Sequence, residues 1–169
     1  MGLKPDYVLH RITEIPFDWL KKNDIQGILV DLDNTLTSYH SVEIPQENLT
    51  WLYSLIELGI PFLPFSNARS YRIENFCRRF GIDNPGLAFK PLNIGLGRVL
   101  RFIRVPRKNL LLIGDQVFTD VLAGKFAGIR TVLVDPVSKG TEFPATKVMR
   151  LVERAIGRGR WEYDDLKSS

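Results

Sequence analysis

A chain of 169 residues, 44% hydrophobic and 25% charged, can bury a full core and is too apolar to be disordered or fibrous. Its 23 Lys and Arg against 19 Asp and Glu give a net charge of +4, and the lone Cys77 excludes an internal disulfide. No run approaches the ~20 apolar residues of a membrane span, and the start MGLKPDYVLHR lacks the apolar stretch of a signal peptide. The expectation is one domain over residues 1–169, soluble and cytoplasmic.

In chain order, PFDWLKK places Trp19 beside Lys21 and Lys22, which suits either a docked N-terminal helix or an anchor at a lipid interface. GILV, ending before Asp31, reads as a buried strand. Gln46 to Leu58 carries Leu49, Leu52 and Leu55 at helical spacing and closes on Gly59. IPFLPF, before Ser66, reads as a second strand. Its Pro64 removes a ladder donor, so the strand is either bulged there or incompletely paired on one side. A helix over Tyr71 to Phe80 closes on Gly81, and GLAF before Lys90 is a weaker strand candidate. Ile94 to Ile103 reads as a helix with Leu96, Val99, Leu100 and Ile103 on one stripe and Arg98, Arg101 and Arg104 on another. NLLLI before Gly114 and RTVLV before Asp135 are strands, with a helix over Thr119 to Ala127 between them. Val148, Leu151, Val152 and Ala155 mark a final amphipathic helix. Strands alternating with helices predict an α/β fold with a mainly parallel sheet of about five strands.

In such sheets, ligands bind beyond the carboxyl ends of the strands, and most of these strands end on a reactive side chain. Asp31 and Asp33 stand two apart after the first strand. Continued strand geometry would put both on one face, where a divalent cation relieves their repulsion. Asp115 supplies a third carboxylate, with Asp120 five residues on. Ser66, Asn67 and Lys90 add a hydroxyl, helix-start amides and a cation, a set suited to Mg²⁺ and a phosphoryl group.

DLDNTL, SNAR, FKP and GDQVFTD, in this order, resemble the four motifs of the haloacid dehalogenase (HAD) superfamily, and more narrowly its YqeG-type class IIIA phosphatases. That group is similar to mitochondrial phosphatidylglycerophosphate phosphatases. The resemblance implies a Rossmann-like three-layer sandwich and a Mg²⁺-dependent phosphatase. By it, Asp31 is the nucleophile and Asp33 the general acid and base. Ser66 and Lys90 hold the phosphoryl group. Asp31, the Asp33 carbonyl and Asp115 bind the metal, with Asp120 in support. Asn34, Thr35, Asn67 and Arg69 are expected near the substrate, Asn67 through its N–H more than its side chain, and Arg72 is also placed to meet it.

Asp33 and Ser66 are 33 residues apart and Ser66 and Lys90 24, too few for a cap domain over the site. A capless site suits a large substrate, a neighbouring subunit as lid, or a membrane surface. The implied substrate is a phosphomonoester, with phosphatidylglycerol phosphate foremost and a soluble sugar or nucleotide phosphate as the alternative. A phosphoacceptor signalling module is the reading of a different class, and Asp33 argues against it, because it supplies the acid and base that complete hydrolysis.

The positive charge is local: Ala68 to Lys108 holds ten Lys and Arg against two Asp and Glu, an excess of eight. That segment suits phosphate, an anionic membrane or nucleic acid, though no nucleic-acid motif accompanies it. Arg98, Arg101 and Arg104 face either solvent or an anionic surface. Cys77 reads as core packing, and neither His10 nor His40 has a visible partner.

Overall fold

The computed structural model describes residues 3–39, 41–138 and 161–167. His40 and the final helix expected around Val148 to Ala155 lie outside the described residues. Five parallel strands form one sheet: β1 (Tyr7–Leu9), β2 (Gly27–Val30), β3 (Phe62–Pro64), β4 (Leu110–Gly114) and β5 (Arg130–Val134), in the order β1-β5-β4-β2-β3. The registers pair Val30 with Pro64 on one side and with Ile113 on the other, so β2 lies between β3 and β4.

Strands covered on both faces read as continuous apolar runs, and GILV and LLLIG are buried at every position. One core joins Ile28, Val30, Leu111, Ile113, Val132 and Val134 to α1 (Phe17–Lys22), α2 (Gln46–Glu57) and α3 (Ser70–Phe80). On the opposite face Leu29, Leu63, Leu110 and Leu112 meet α4 (Leu96–Ile103) and α5 (Leu122–Ala127). The result is the expected three-layer sandwich. Each fully buried Leu, Ile or Val contributes about 1.5–3 kcal/mol to holding the layers together.

Two expectations change and one alternative is decided. GLAF is not a strand: Ala88 donates its N–H to the Ser66 carbonyl and accepts from Gly95 N–H, which makes the segment an extended link rather than part of the ladder. The fifth strand is β1, which pairs Tyr7–Leu9 with Val132–Val134. It is held by partners distant in sequence. Asp6 accepts from Thr131 N–H (2.8 Å) and Lys125 Nζ (2.6 Å), and Asp164 accepts Val8 N–H at 2.7 Å. Finally, Trp19 is buried with its ring edge-on to Tyr7 at 4.9 Å, which makes α1 a docked helix and removes the lipid-anchor reading.

The Pro64 conflict resolves through position. β3 is an edge strand, so the ring occupies a place where no ladder partner is needed. The helix over Thr119 to Ala127 begins earlier than expected, as a π-helical turn over Val117–Val121 that runs into α5. Between Asp33 and Ser66 the described residues form a loop, α2 and β3, and between Ser66 and Lys90 α3 and links, with no cap domain among them.

Candidate active site

β2 and β4 are neighbours, so the residues that follow them, Asp31 and Asp115, emerge side by side at the carboxyl end of the sheet. Oxygens of Asp31, Asp115 and Asp120 lie within 4.8 Å of one another, and all three residues are buried. Lys90 reaches in from the link beyond β3. Its Nζ is 2.9 Å from Asp31 Oδ1 and 2.5 Å from Asp120 Oδ1. Burial by itself would lower the Lys90 pKa, but Asp120 and Asp31 outweigh it and raise it, so the ammonium stays charged.

Asp120 is brought back toward the strand end by the π-helical turn, where it accepts Gln116 N–H at 3.0 Å. Gly114 makes room for it: a Cβ at that position would lie 2.1 Å from Asp120 Cγ. Burial pushes the Asp120 carboxyl up to about 6; the Asp31 charge adds to the rise and Lys90 opposes it. Thr35 Oγ1 donates a long bond, 3.5 Å, to Asp115 Oδ1.

Among the described residues three buried carboxylates gather around one ammonium. Hard oxygen donors so gathered fit a divalent cation such as Mg²⁺. Asp33 is not part of this group. The chain turns directly after β2: Leu36 and Thr37 N–H donate to Leu32 O, Asn34 adopts a positive φ of 60°, and Asn34 N–H donates to Thr37 O. The strand therefore does not continue through Asp33, so the condition for a shared face with Asp31 is not met.

The Asp33 carboxylate is instead bonded to Arg72. Arg72 is buried, and its guanidinium also donates to Thr37 Oγ1 (2.8 Å) and Ser41 O (2.5 Å). Burial lowers the Arg72 pKa and the Asp31 charge partly restores it; a guanidinium titrates so high that it remains charged. The partner that the structure gives Arg72 is Asp33. Nothing in the sequence marks a pair 39 residues apart.

Ser66 is fully buried two residues past β3, and its Oγ accepts Ala68 N–H at 3.1 Å. α3 begins only at Ser70, so Asn67 is not at a helix start. Its side chain is what counts: Oδ1 accepts Lys90 N–H (2.9 Å) and Nδ2 donates to Lys90 O (3.0 Å). Asn67 thereby fixes the backbone that carries the site lysine, a role the sequence does not reveal. Arg69 is exposed, and its charge acts on the Tyr39 phenol, whose pKa burial raises. Asn34 is buried, with its Oδ1 accepting from Ser138 Oγ at 3.0 Å and its Nδ2 unpaired. Arg98 is not a purely solvated residue, since it donates to Pro85 O (2.8 Å) and Leu87 O (2.9 Å) and braces the link that leads to Lys90. No helix among the described residues is long and apolar enough to cross a membrane.

A family profile described as HAD-hydrolase-like matches residues 89–142, which include Lys90, Asp115 and Asp120. The phosphatidylglycerophosphate phosphatase 1 of Arabidopsis thaliana, chloroplastic/mitochondrial, is 28% identical over 168 residues, covering 89% of this chain and 46% of that one. A solved 3-deoxy-D-manno-octulosonate 8-phosphate phosphatase from Yersinia pestis is 16% identical, with 90% of each chain covered and a TM-score of 0.48. The probable phosphatase YqeG of Bacillus subtilis (strain 168) is 33% identical over 165 residues, covering 94% of this chain and 95% of its own. With that identity along nearly the whole of both chains, this protein belongs to the YqeG-type phosphatases of the haloacid dehalogenase superfamily.

Proposed function

We propose that the protein hydrolyses a phosphomonoester through an aspartyl-phosphate on Asp31, with phosphatidylglycerol phosphate as the substrate. The observation that carries this reading is the group of three buried carboxylates around Lys90 at the carboxyl end of the sheet. The Asp31 carboxylate attacks phosphorus and the bond to the leaving oxygen breaks, with Asp33 giving that oxygen its proton. Water then attacks the phosphoryl group, Asp33 takes the water's proton, and phosphate leaves. Lys90 and Ser66 hold the phosphoryl oxygens, while Asn34, Thr35, Asn67 and Arg69 line the approach. Asp120 and Asn67 fix Lys90, one at its ammonium and the other at its backbone. Mg²⁺ held by Asp31, Asp115 and the Asp33 carbonyl would offset charge on the transferring group.

The lipid substrate is supported by the likeness to the Arabidopsis phosphatidylglycerophosphate phosphatase and by the lack of a cap domain among the described residues. It would place the protein in phospholipid synthesis, at the cytoplasmic face of a membrane. Two measurements test the reading. Acid quenching during turnover followed by borohydride reduction should convert Asp31 to homoserine; an unmodified Asp31 overturns the covalent step. A panel of phosphatidylglycerol phosphate in mixed micelles, sugar phosphates and nucleotides should show the highest kcat/KM for the lipid, and a preference for a soluble ester overturns the substrate.

A further inference from the structure

The segment that carries Lys90 also bears the most exposed large apolar side chains among the described residues. Leu92 is 75% exposed and Ile94 65%, with Phe89 at 47%, while Lys90 between them is buried in the charge cluster. The same short stretch turns a cation into the site and apolar groups out to solvent. Exposed apolar clusters of this kind mark interaction surfaces.

The segment is braced from several sides. Asn67 clamps the Lys90 backbone, Asn93 Nδ2 donates to Ala123 O at 2.7 Å, and Gly95 N–H donates to Ala88 O at 3.0 Å. Gly95 permits that last approach, since a Cβ there would stand 2.4 Å from Leu87 O. Leu92 and Ile94 are therefore displayed on a fixed loop, and little ordering is needed for them to bind.

The surrounding charge identifies the occupant. The loop lies inside the segment with an excess of eight positive charges. Lys90 and Arg72 are consumed inside the protein, whereas Arg69, two residues from the Asn67 clamp, and Arg101, on the helix that follows, are exposed. A second copy docking through this stretch would bring two positively charged segments together, and interface cores are depleted of charge. An anionic bilayer accepts both parts, apolar side chains at the headgroup boundary and arginines among the phosphates.

We propose that the Phe89–Ile94 loop inserts Leu92 and Ile94 into an anionic membrane surface, so that the site takes its phosphomonoester directly from the bilayer. This rests on the phosphatase reading above and deepens it by naming the surface that presents the substrate. The test is flotation of the full chain with vesicles of equal phosphatidylglycerol and phosphatidylcholine, and with phosphatidylcholine alone, beside turnover of soluble p-nitrophenyl phosphate. Wild type should float with the anionic vesicles only. Leu92→Ser/Ile94→Ser should partition about tenfold less or worse, because each loses most of a buried aliphatic side chain, while its p-nitrophenyl phosphate turnover is unchanged. Equal flotation of wild type and variant overturns the proposal, as does no flotation of either. A lipid-free dimer of the wild type that the double variant converts to monomer also overturns it, in favour of a second copy. If vesicle binding behaves as expected but p-nitrophenyl phosphate is not turned over, the phosphatase reading has failed and the docking surface has not.

Discussion

The basic segment sends two cations into the protein, and they enter different surroundings. Lys90 meets Asp31 and Asp120 with Asp115 close by, three carboxylates for one positive charge. Arg72 meets one carboxylate, Asp33, and two neutral acceptors, Thr37 Oγ1 and Ser41 O. The first group gathers more carboxylates than cations among the described residues and suits another cation together with a phosphoryl ligand. The second pairs one cation with one carboxylate and orients the Asp33 side chain. Burial of a cation therefore says little about function until its counter-charges are counted.

Lys90→Met strikes the unbalanced group and should lower kcat by about 10³-fold, the upper end of what losing one preorganised charge costs. Steady-state kinetics on p-nitrophenyl phosphate check it; a loss below tenfold would show that Lys90 does not face the reacting phosphoryl group.

Arg72→Met should act mainly on stability, costing about 3 kcal/mol by leaving the Asp33 carboxylate without its partner. Combining it with Asp33→Asn should return much of that loss in a urea melt. Additive losses would mean that the pair is not coupled.

Magnesium separates the two groups more gently. At a concentration about 100 times its Kd, Mg²⁺ should stabilise the fold by about 2.7 kcal/mol, a rise in Tm of roughly 5–10 °C that EDTA reverses. Asp115→Asn should lose this shift and Arg72→Met should keep it. A shift that survives Asp115→Asn would place the ion elsewhere.

Cys77, buried on α3, gives the smallest effect. Burial, with the Asp83 charge adding to it, pushes its thiol up to about 11 from an ordinary 9.0. Between those values the unfolded chain loses the proton and the folded one keeps it, so the unfolded state binds fewer protons and stability falls as pH rises. Cys77→Val should flatten this alkaline decline in urea midpoints measured from pH 8.5 to 10.5. An unchanged slope would assign the decline to other groups.

What the sequence made legible follows from how far apart the interacting residues stand. GILV, NLLLI and RTVLV are strands because both faces of the sheet are covered, which leaves unbroken apolar runs with polar residues at their ends. Asp31 and Asp115 could be found from those ends, whereas Lys90 follows GLAF, which is no strand, and is marked by the likeness of FKP to a superfamily motif. The pairing of Asp33 with Arg72 could not be found so, because it depends on the tight turn over residues 32–37 and on an arginine from α3. Asn67 looked like a backbone contributor because its partner, the backbone of Lys90, is 23 residues away. β1 is three residues long and carries no periodicity, and only Asp6, Asp164 and β5 make it a strand. GLAF had a strand's composition but joins the ladder nowhere.

Pro64 has a consequence for how molecules of this protein behave toward one another. Ile28 N–H donates to Pro61 O and Phe65 N–H to Val30 O, so in this parallel pairing the odd-numbered residues of β3 address β2. Phe62 and Pro64 turn their backbone outward, where among the described residues no strand pairs with them. An open strand edge is a template for another chain to add to, and growth of that kind ends in fibrous aggregates. Where the edge would present a second donor, it presents a proline ring. A residue that looks like a flaw in an interior strand blunts the sheet at its margin and guards a concentrated solution of the protein against templated polymerisation.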